Sequence, residues 1–292
     1  MQSWRGGNAC AIRPCPRKVF EDMTAIAVVY HPSGFALSAD GRFMWGEKPA
    51  PVASEHDPPV DAVRKIFPFT FKRRTAAFAL TGADSNNLGT FSVVSEMMST
   101  LEHSGRTCQN IYELASRASR HVKDAVENAR ADGRLPKRFR TDPGVANEDG
   151  TFTICRIFIV GYFSKKKPTL VRIHLFHANQ VMADPALHFE TPPAHSQYSG
   201  STIIYQFLFE STDERFAQYR KELYLDSPIE DVVEVATGYV KACCDPVAVS
   251  LDPLCRAIGG HVHSAKITQR DGFQWVVAPL TASAASSASW LP

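Results

Sequence analysis

Thr24 and Asp40 are the residues whose types and spacing point most directly to chemistry. Thr24 opens the segment Thr24-Ala-Ile-Ala-Val-Val-Tyr30; the turn His31-Pro32-Ser33-Gly34 follows, and Phe35-Ala-Leu-Ser-Ala-Asp40-Gly-Arg42 returns. Two apolar runs around turn residues predict a β-hairpin, with Asp40 at the end of its second strand and beside the start of its first. If translation begins at Met23, removal of that methionine leaves Thr24 with a hydroxyl and a free α-amine on one residue. Nucleophile and base then arrive together. A threonine hydroxyl is too weak an acid to attack an amide unaided, whereas an α-amine with a pKa of about 8 accepts its proton at neutral pH.

The remaining elements must hold that residue in place. Residues 46–59 carry Pro49, Pro51, Pro58 and Pro59 and read as a surface loop. Short strands are predicted at 63–69 and 75–82, the second ending on Gly82. Asp84-Ser85-Asn86 offers capping side chains, and Leu88, Phe91, Val94, Met97, Met98 and Leu101 recur at helical spacing up to residue 102. A second helix is predicted over 110–132, followed by a polar connector at 133–150. Residues 152–163 are β-rich, 164–168 read as a hairpin tip and 169–177 as the returning strand, with a further strand or loop running to Pro192-Pro193.

Helices are predicted at 212–224 and at 229–243, the latter capped by Ser227-Pro228. Strands at 261–268 and 273–277 close the chain, joined through Asp271-Gly272. Strands, two helices, strands, two helices, strands: that order predicts an α+β fold, a four-layer αββα sandwich of two stacked antiparallel sheets covered by helices on both outer faces, spanning 24–280. Residues 1–23 read as an extension, a pro-segment or a mis-called start, and 281–292 as a disordered Ala/Ser-rich tail.

The chain has 292 residues, 44% hydrophobic and 21% charged, with a net charge of +2, the balance of an ordinary globular protein with no polyanionic partner. No nucleic-acid partner is expected. The basic runs Lys72-Arg73-Arg74, Lys137-Arg138-Phe139-Arg140 and Lys165-Lys166-Lys167 read as solvated loops. Seven cysteines form neither a disulfide framework nor a zinc spacing, which fits a reducing compartment such as the cytoplasm. His261 and His263 alternate on a predicted strand and share a face, but no third ligand accompanies them, so neither a metal nor another cofactor is expected. The longest apolar stretch, 154–163, is interrupted by Arg156 and is too short for a membrane span.

These residues together resemble the proteasome β-subunit family of N-terminal-nucleophile hydrolases, over 24–277. Thr24, Gly34 and Ala39-Asp40-Gly-Arg42 match the family's nucleophile, turn glycine and first acidic partner in spacing. Lys65-Ile-Phe resembles the strand carrying its lysine, displaced by a longer loop, although Arg64 is an alternative inward residue. Thr81-Gly82-Ala83 resembles the turn whose glycine N–H helps to form the oxyanion hole, and Ser199-Gly200-Ser201 the Ser-Gly-Ser segment beside the nucleophile. Ile258-Gly259-Gly260-His261-Val262 and Asp271-Gly-Phe-Gln-Trp275 resemble its closing strands.

The resemblance implies a catalytic set of Thr24, Asp40, Lys65, Gly82, Ser199 and Ser201, a peptide or amide substrate, and a homo-oligomeric ring. Lys65 would lower the hydroxyl's pKa and keep the amine neutral, Asp40 would fix Lys65, and Gly82 would meet the developing oxyanion. The chain departs from the family at three points. Cys255 stands where an aspartate is usual, with Asp252 three residues earlier as a substitute; Ile258 replaces a serine; and Met23 replaces the glycine of self-cleaving precursors. Those departures leave open a second reading, a catalytically inactive subunit with a structural or assembly role.

Overall fold

A computed structural model of the protein describes residues 24–42, 44–45, 48–49, 62–72, 74–82, 92–133, 151–164, 167–178, 181–191, 193, 196–211 and 214–280. Several expectations lie outside the described residues: the extension at 1–23, most of the proline-rich loop, the capping side chains at 84–86, most of the connector at 133–150 and the tail at 281–292.

The opening hairpin forms as its pattern predicts. Strands β1 (Ile26–His31) and β2 (Gly34–Ala39) pair antiparallel from Ile26↔Ala39 to His31↔Gly34. Gly34 has φ +150, and a Cβ there would lie 2.8 Å from the Ile267 carbonyl oxygen, so the turn needs glycine. Next come the two-residue strands β3 (Met44–Trp45) and β4 (Lys48–Pro49), which pair with each other. Strands β5 (Ile66–Phe71) and β6 (Arg74–Gly82) follow, then helices α1 (Val93–Ser104) and α2 (Ile111–Ala131).

Both helices start on side-chain caps. The Ser92 hydroxyl accepts from the Ser95 N–H at 3.1 Å, and Asn110 Oδ1 accepts from the Glu113 N–H at 2.9 Å. Strands β7 (Thr151–Ser164), β8 (Lys167–Ala178), β9 (Val181–Met182) and β10 (Ala186–Glu190) follow. After them come β11 (Gln197–Ser199), α3 (Thr202–Phe209), a 3₁₀ turn (Glu214–Tyr219), α4 (Ile229–Cys244), α5 (Pro246–Leu251), a second 3₁₀ turn (Pro253–Ala257), β12 (His263–Thr268) and β13 (Gly272–Val277).

Two antiparallel sheets stack, ordered β11-β1-β2-β12-β13 and β10-β8-β7-β6-β5. Alternation along each strand sends successive side chains to opposite faces. Ile26, Val28, Phe35 and Leu37 of the first sheet meet Ile66, Ala77, Ala79, Phe158 and Val160 of the second in one buried layer. On the first sheet's other face, Ala25, Ala27, Val29 and Ala36 pack with Val232, Ala236, Tyr239 and Val240 of α4. Phe78, Leu80, Ile157 and Ile159 of the second sheet pack with Met97 and Leu101 of α1 and Leu114 and Val122 of α2. The result is a mixed α+β sandwich. Among the described residues, no helix is long and apolar enough to cross a membrane.

Three expectations are corrected. The helix predicted at 212–224 is instead a short 3₁₀ turn at Glu214–Tyr219, and the α-helix lies earlier, at Thr202–Phe209. The run Ile203-Ile-Tyr-Gln-Phe-Leu-Phe209 is rich in β-branched and aromatic residues, so its periodicity does not separate helix from strand; the Ser201 cap decides it. The strand around Lys65 starts at Ile66, which leaves 62–65 as chain without regular secondary structure before it. Ser227 does not cap α4: its hydroxyl accepts from the Tyr224 N–H at 2.8 Å, and Pro228 occupies the cap position without a side-chain bond.

Candidate active site

The end of β2 turns Asp40 back onto the residue next to Thr24. The Asp40 N–H donates to the Ala25 carbonyl at 3.1 Å, and the Ala25 N–H donates to Asp40 Oδ1 at 2.9 Å. Asp40 Oδ2 accepts from the N–H groups of Arg42 at 3.2 Å and Gly259 at 3.1 Å. Lys65 completes the set, its Nζ donating to Asp40 Oδ1 and to Thr24 Oγ1, each at 3.0 Å, and to the Arg42 carbonyl at 2.8 Å. Three acceptors match the three N–H bonds of an ammonium. Asp40 is 0% exposed, Lys65 5% and Thr24 7%, so this polar cluster is buried.

Burial pushes the Asp40 carboxyl up from its ordinary range, while the Lys65 charge and the Gly259 and Ala25 N–H groups pull it down. All four of its contacts are donors. A protonated carboxyl would set its own hydrogen against one of them, so the carboxylate is the form that fits. Asp40 and Lys65 thus form a buried ion pair whose third member is the Thr24 hydroxyl.

Lys65, not Arg64, is the inward residue. The Arg64 side chain is exposed, donates from Nε to the Ile66 carbonyl at 2.8 Å and lies over the Phe67 and Trp275 rings, at 5.0 and 5.6 Å. The chain at 62–65 is held from both sheets. The Val63 N–H reaches the Gly41 carbonyl at 2.9 Å, and the Lys65 carbonyl accepts from Leu80 at 3.1 Å. The Lys65 N–H donates to His263 Nε2 at 3.1 Å.

Gly259 also shapes the cluster. Its carbonyl accepts from the N–H groups of Gly41 and Arg42, at 3.0 and 2.8 Å, and its φ of +154 places it beside the Arg42 guanidinium, 2.7 Å from where a Cβ would stand.

The other predicted site residues make no bond to this cluster among the described residues. Ser199, opposite Ile26 in the ladder, donates to Thr81 Oγ1 at 3.4 Å. Gly82 ends β6 with φ +95, and a Cβ there would lie 2.5 Å from the Ile154 carbonyl. Ser201 caps α3 by accepting from the Ile204 N–H at 3.1 Å, and its hydroxyl donates to Asp252 Oδ2 at 2.7 Å. Asp252 in turn caps the second 3₁₀ turn through the Leu254 N–H at 3.0 Å. The acidic contact to the Ser-Gly-Ser segment therefore comes from Asp252. Cys255 packs into the apolar cluster of α4.

The same segment is held from below by Tyr239, whose hydroxyl is 3.3 Å from the carbonyls of both Ser199 and Ser201. Burial pushes that phenol's pKa far up, so it acts as a fixed donor.

Sequence reasoning weighed His263 only as a metal ligand and missed its contact with the Lys65 N–H. His263 is fully buried, and burial holds its imidazole down to about 3 against an upward pull from the His261 carbonyl, with a smaller downward push from the Lys65 charge. The ring is neutral and presents a lone pair at Nε2. His261 precedes β12, and its ring bonds elsewhere, to the Ala278 carbonyl at 2.8 Å, while its own carbonyl lies 3.5 Å from His263 Nδ1. No protein-family model matches the chain, and neither does any curated protein.

Proposed function

We propose that the protein is a threonine-type amide or peptide hydrolase of the N-terminal-nucleophile class, resembling proteasome β-subunits, in which Thr24 becomes the amino-terminal residue. The observation that carries this reading is the Lys65 ammonium 3.0 Å from Thr24 Oγ1, itself paired with a buried Asp40. A buried ion pair is costly to desolvate, and replacing it with apolar side chains is often neutral or stabilising. Its attachment to a hydroxyl at the start of a strand favours a chemical over a purely structural purpose.

In this mechanism the freed Thr24 amine takes the hydroxyl proton as Oγ1 attacks the substrate carbonyl carbon. The Lys65 charge favours the developing alkoxide, and the Gly82 N–H is the proposed donor to the oxyanion. Collapse breaks the C–N bond, the amine returns its proton to the leaving nitrogen, and an ester on Thr24 remains. Water, deprotonated by the same amine, attacks the ester carbonyl; the C–O bond to Thr24 breaks, the amine returns the proton to Oγ1, and the acid is released. No step calls for a metal or an organic cofactor. Cys108, Cys155, Cys243, Cys244 and Cys255 are free, which supports a reducing compartment, the cytoplasm. A homo-oligomeric ring belongs to the same proposal.

Intact-mass analysis of the purified protein, fractionated alongside an assay of amine release from peptide amides, tests the reading. Turnover is expected to follow the fraction whose chain begins at Thr24. Turnover by protein still acylated on the Thr24 nitrogen would sink it. The inactive-subunit reading is favoured by one observation, Ser201 committed to capping α3; it predicts no turnover even in the Thr24-terminated fraction.

A further inference from the structure

We propose that His263 is a positioning residue for Lys65: its Nε2 lone pair holds the Lys65 N–H and so keeps lysine, rather than Arg64, facing Thr24. This inference rests on the nucleophile reading above. In an extended chain a slip of one residue exchanges the two faces. Residues 64 and 65 are both cations, so charge alone does not choose between them. The selection comes from the backbone. Lys65 lies one residue before β5; its carbonyl is held by the Leu80 N–H at 3.1 Å, and its N–H meets a side chain of the opposite sheet at 3.1 Å.

That side chain is well placed for the task. His263 pairs with Ala39 in the β2–β12 ladder, one residue before Asp40. The same rung thus sets Asp40 through the main chain and Lys65 through the imidazole. The Lys65–Asp40–Thr24 geometry is tied to this rung as well as to the Val63–Gly41 and Leu80–Lys65 backbone bonds. Trp275 stands at 63° to the ring, centroids 6.2 Å apart, and a second anchor is the His261 carbonyl, 3.5 Å from Nδ1. The charged and titratable groups around the imidazole are Lys65, His261 and Arg64, and burial keeps its Nε2 unprotonated at neutral pH.

The test uses the full-length protein, processed to Thr24, and a peptide epoxyketone as the covalent probe, read as the rate of adduct formation at Thr24. His263→Gln can bring a carbonyl oxygen to the place of Nε2, whereas His263→Asn is one methylene too short. His263→Asn is expected to label on the order of 10²-fold more slowly, as a misplacement of about 1 Å does, with His263→Gln recovering most of the rate. A role in packing alone would instead make both rates follow thermal stability, measured on the same samples. A folded His263→Asn protein that labels at the wild-type rate overturns the proposal. So does a His263→Gln protein no faster than His263→Asn, whether or not either folds. Failure of the wild-type protein to label at Thr24 sinks the nucleophile reading instead; labelling of the wild type with indifferent variants sinks only the role of His263.

Discussion

Asp40→Ala is expected to destabilise the protein by about 3–5 kcal/mol, because it leaves a buried ammonium without its counter-ion. Lys65 is only 5% exposed and cannot reach bulk water without leaving its other two acceptors. The loss does not stop there. The N–H groups of Ala25, Arg42 and Gly259 all donate to the Asp40 carboxylate, and each would lose that acceptor. Asp40→Asn keeps the shape and one carbonyl oxygen, but its NH₂ faces two donors wherever it points. It should therefore fall between wild type and Asp40→Ala. Urea unfolding at neutral pH measures the series; an Asp40→Ala protein within about 0.5 kcal/mol of wild type would mean that the pair is not buried as described.

Acid is expected to weaken the fold through His263. The unfolded imidazole takes a proton below its ordinary value of about 6.5, whereas the folded one resists until about 3. Between those values the unfolded state binds more protons, so stability rises with pH across that window. The contribution, on the order of 5 kcal/mol, is complete above about pH 6.5 and is lost as pH falls towards about 3. The cause is physical: a protonated ring would bury a charge beside Lys65 and replace the Nε2 acceptor with a donor facing the Lys65 N–H. Other carboxyl groups titrate in the same range, so the informative quantity is the difference between wild type and His263→Gln. Urea unfolding free energies at about pH 7.5 and about pH 4.5 should show wild type losing about 2–3 kcal/mol more than the variant. Equal losses would contradict a buried neutral imidazole.

Those two effects explain which parts of the molecule were legible in the sequence. The β1–β2 hairpin was readable because its apolar runs, its turn residues and the Thr24–Asp40 spacing all agree, and such agreement between levels makes a reading reliable. Helix α2 was readable for the same reason, with Asn110 capping a strong apolar stripe. Helix α3 was not, because Ile203, Ile204 and its aromatics favour strand as much as helix, and the deciding Ser201 cap looked like part of a loop motif.

Within the site, Asp40 followed from local spacing alone. The choice between Arg64 and Lys65 depended on contacts distant in the chain, among them His263, 198 positions away on the other sheet. A single histidine on a strand carries no pattern that would announce it. Asp252 was visible as an acid near the expected place, but only the fold reveals that its partner is Ser201.

Everything proposed for the chemistry depends on Thr24 Oγ1 being the atom that attacks. The most direct measurement is to treat the processed protein with a peptide epoxyketone, digest it, and locate the adduct by mass spectrometry. The account predicts a morpholine adduct on the peptide that begins with Thr24, formed from both its hydroxyl and its amine, and none in Thr24→Ala. An adduct on any other residue, or equal modification of Thr24→Ala, would contradict it.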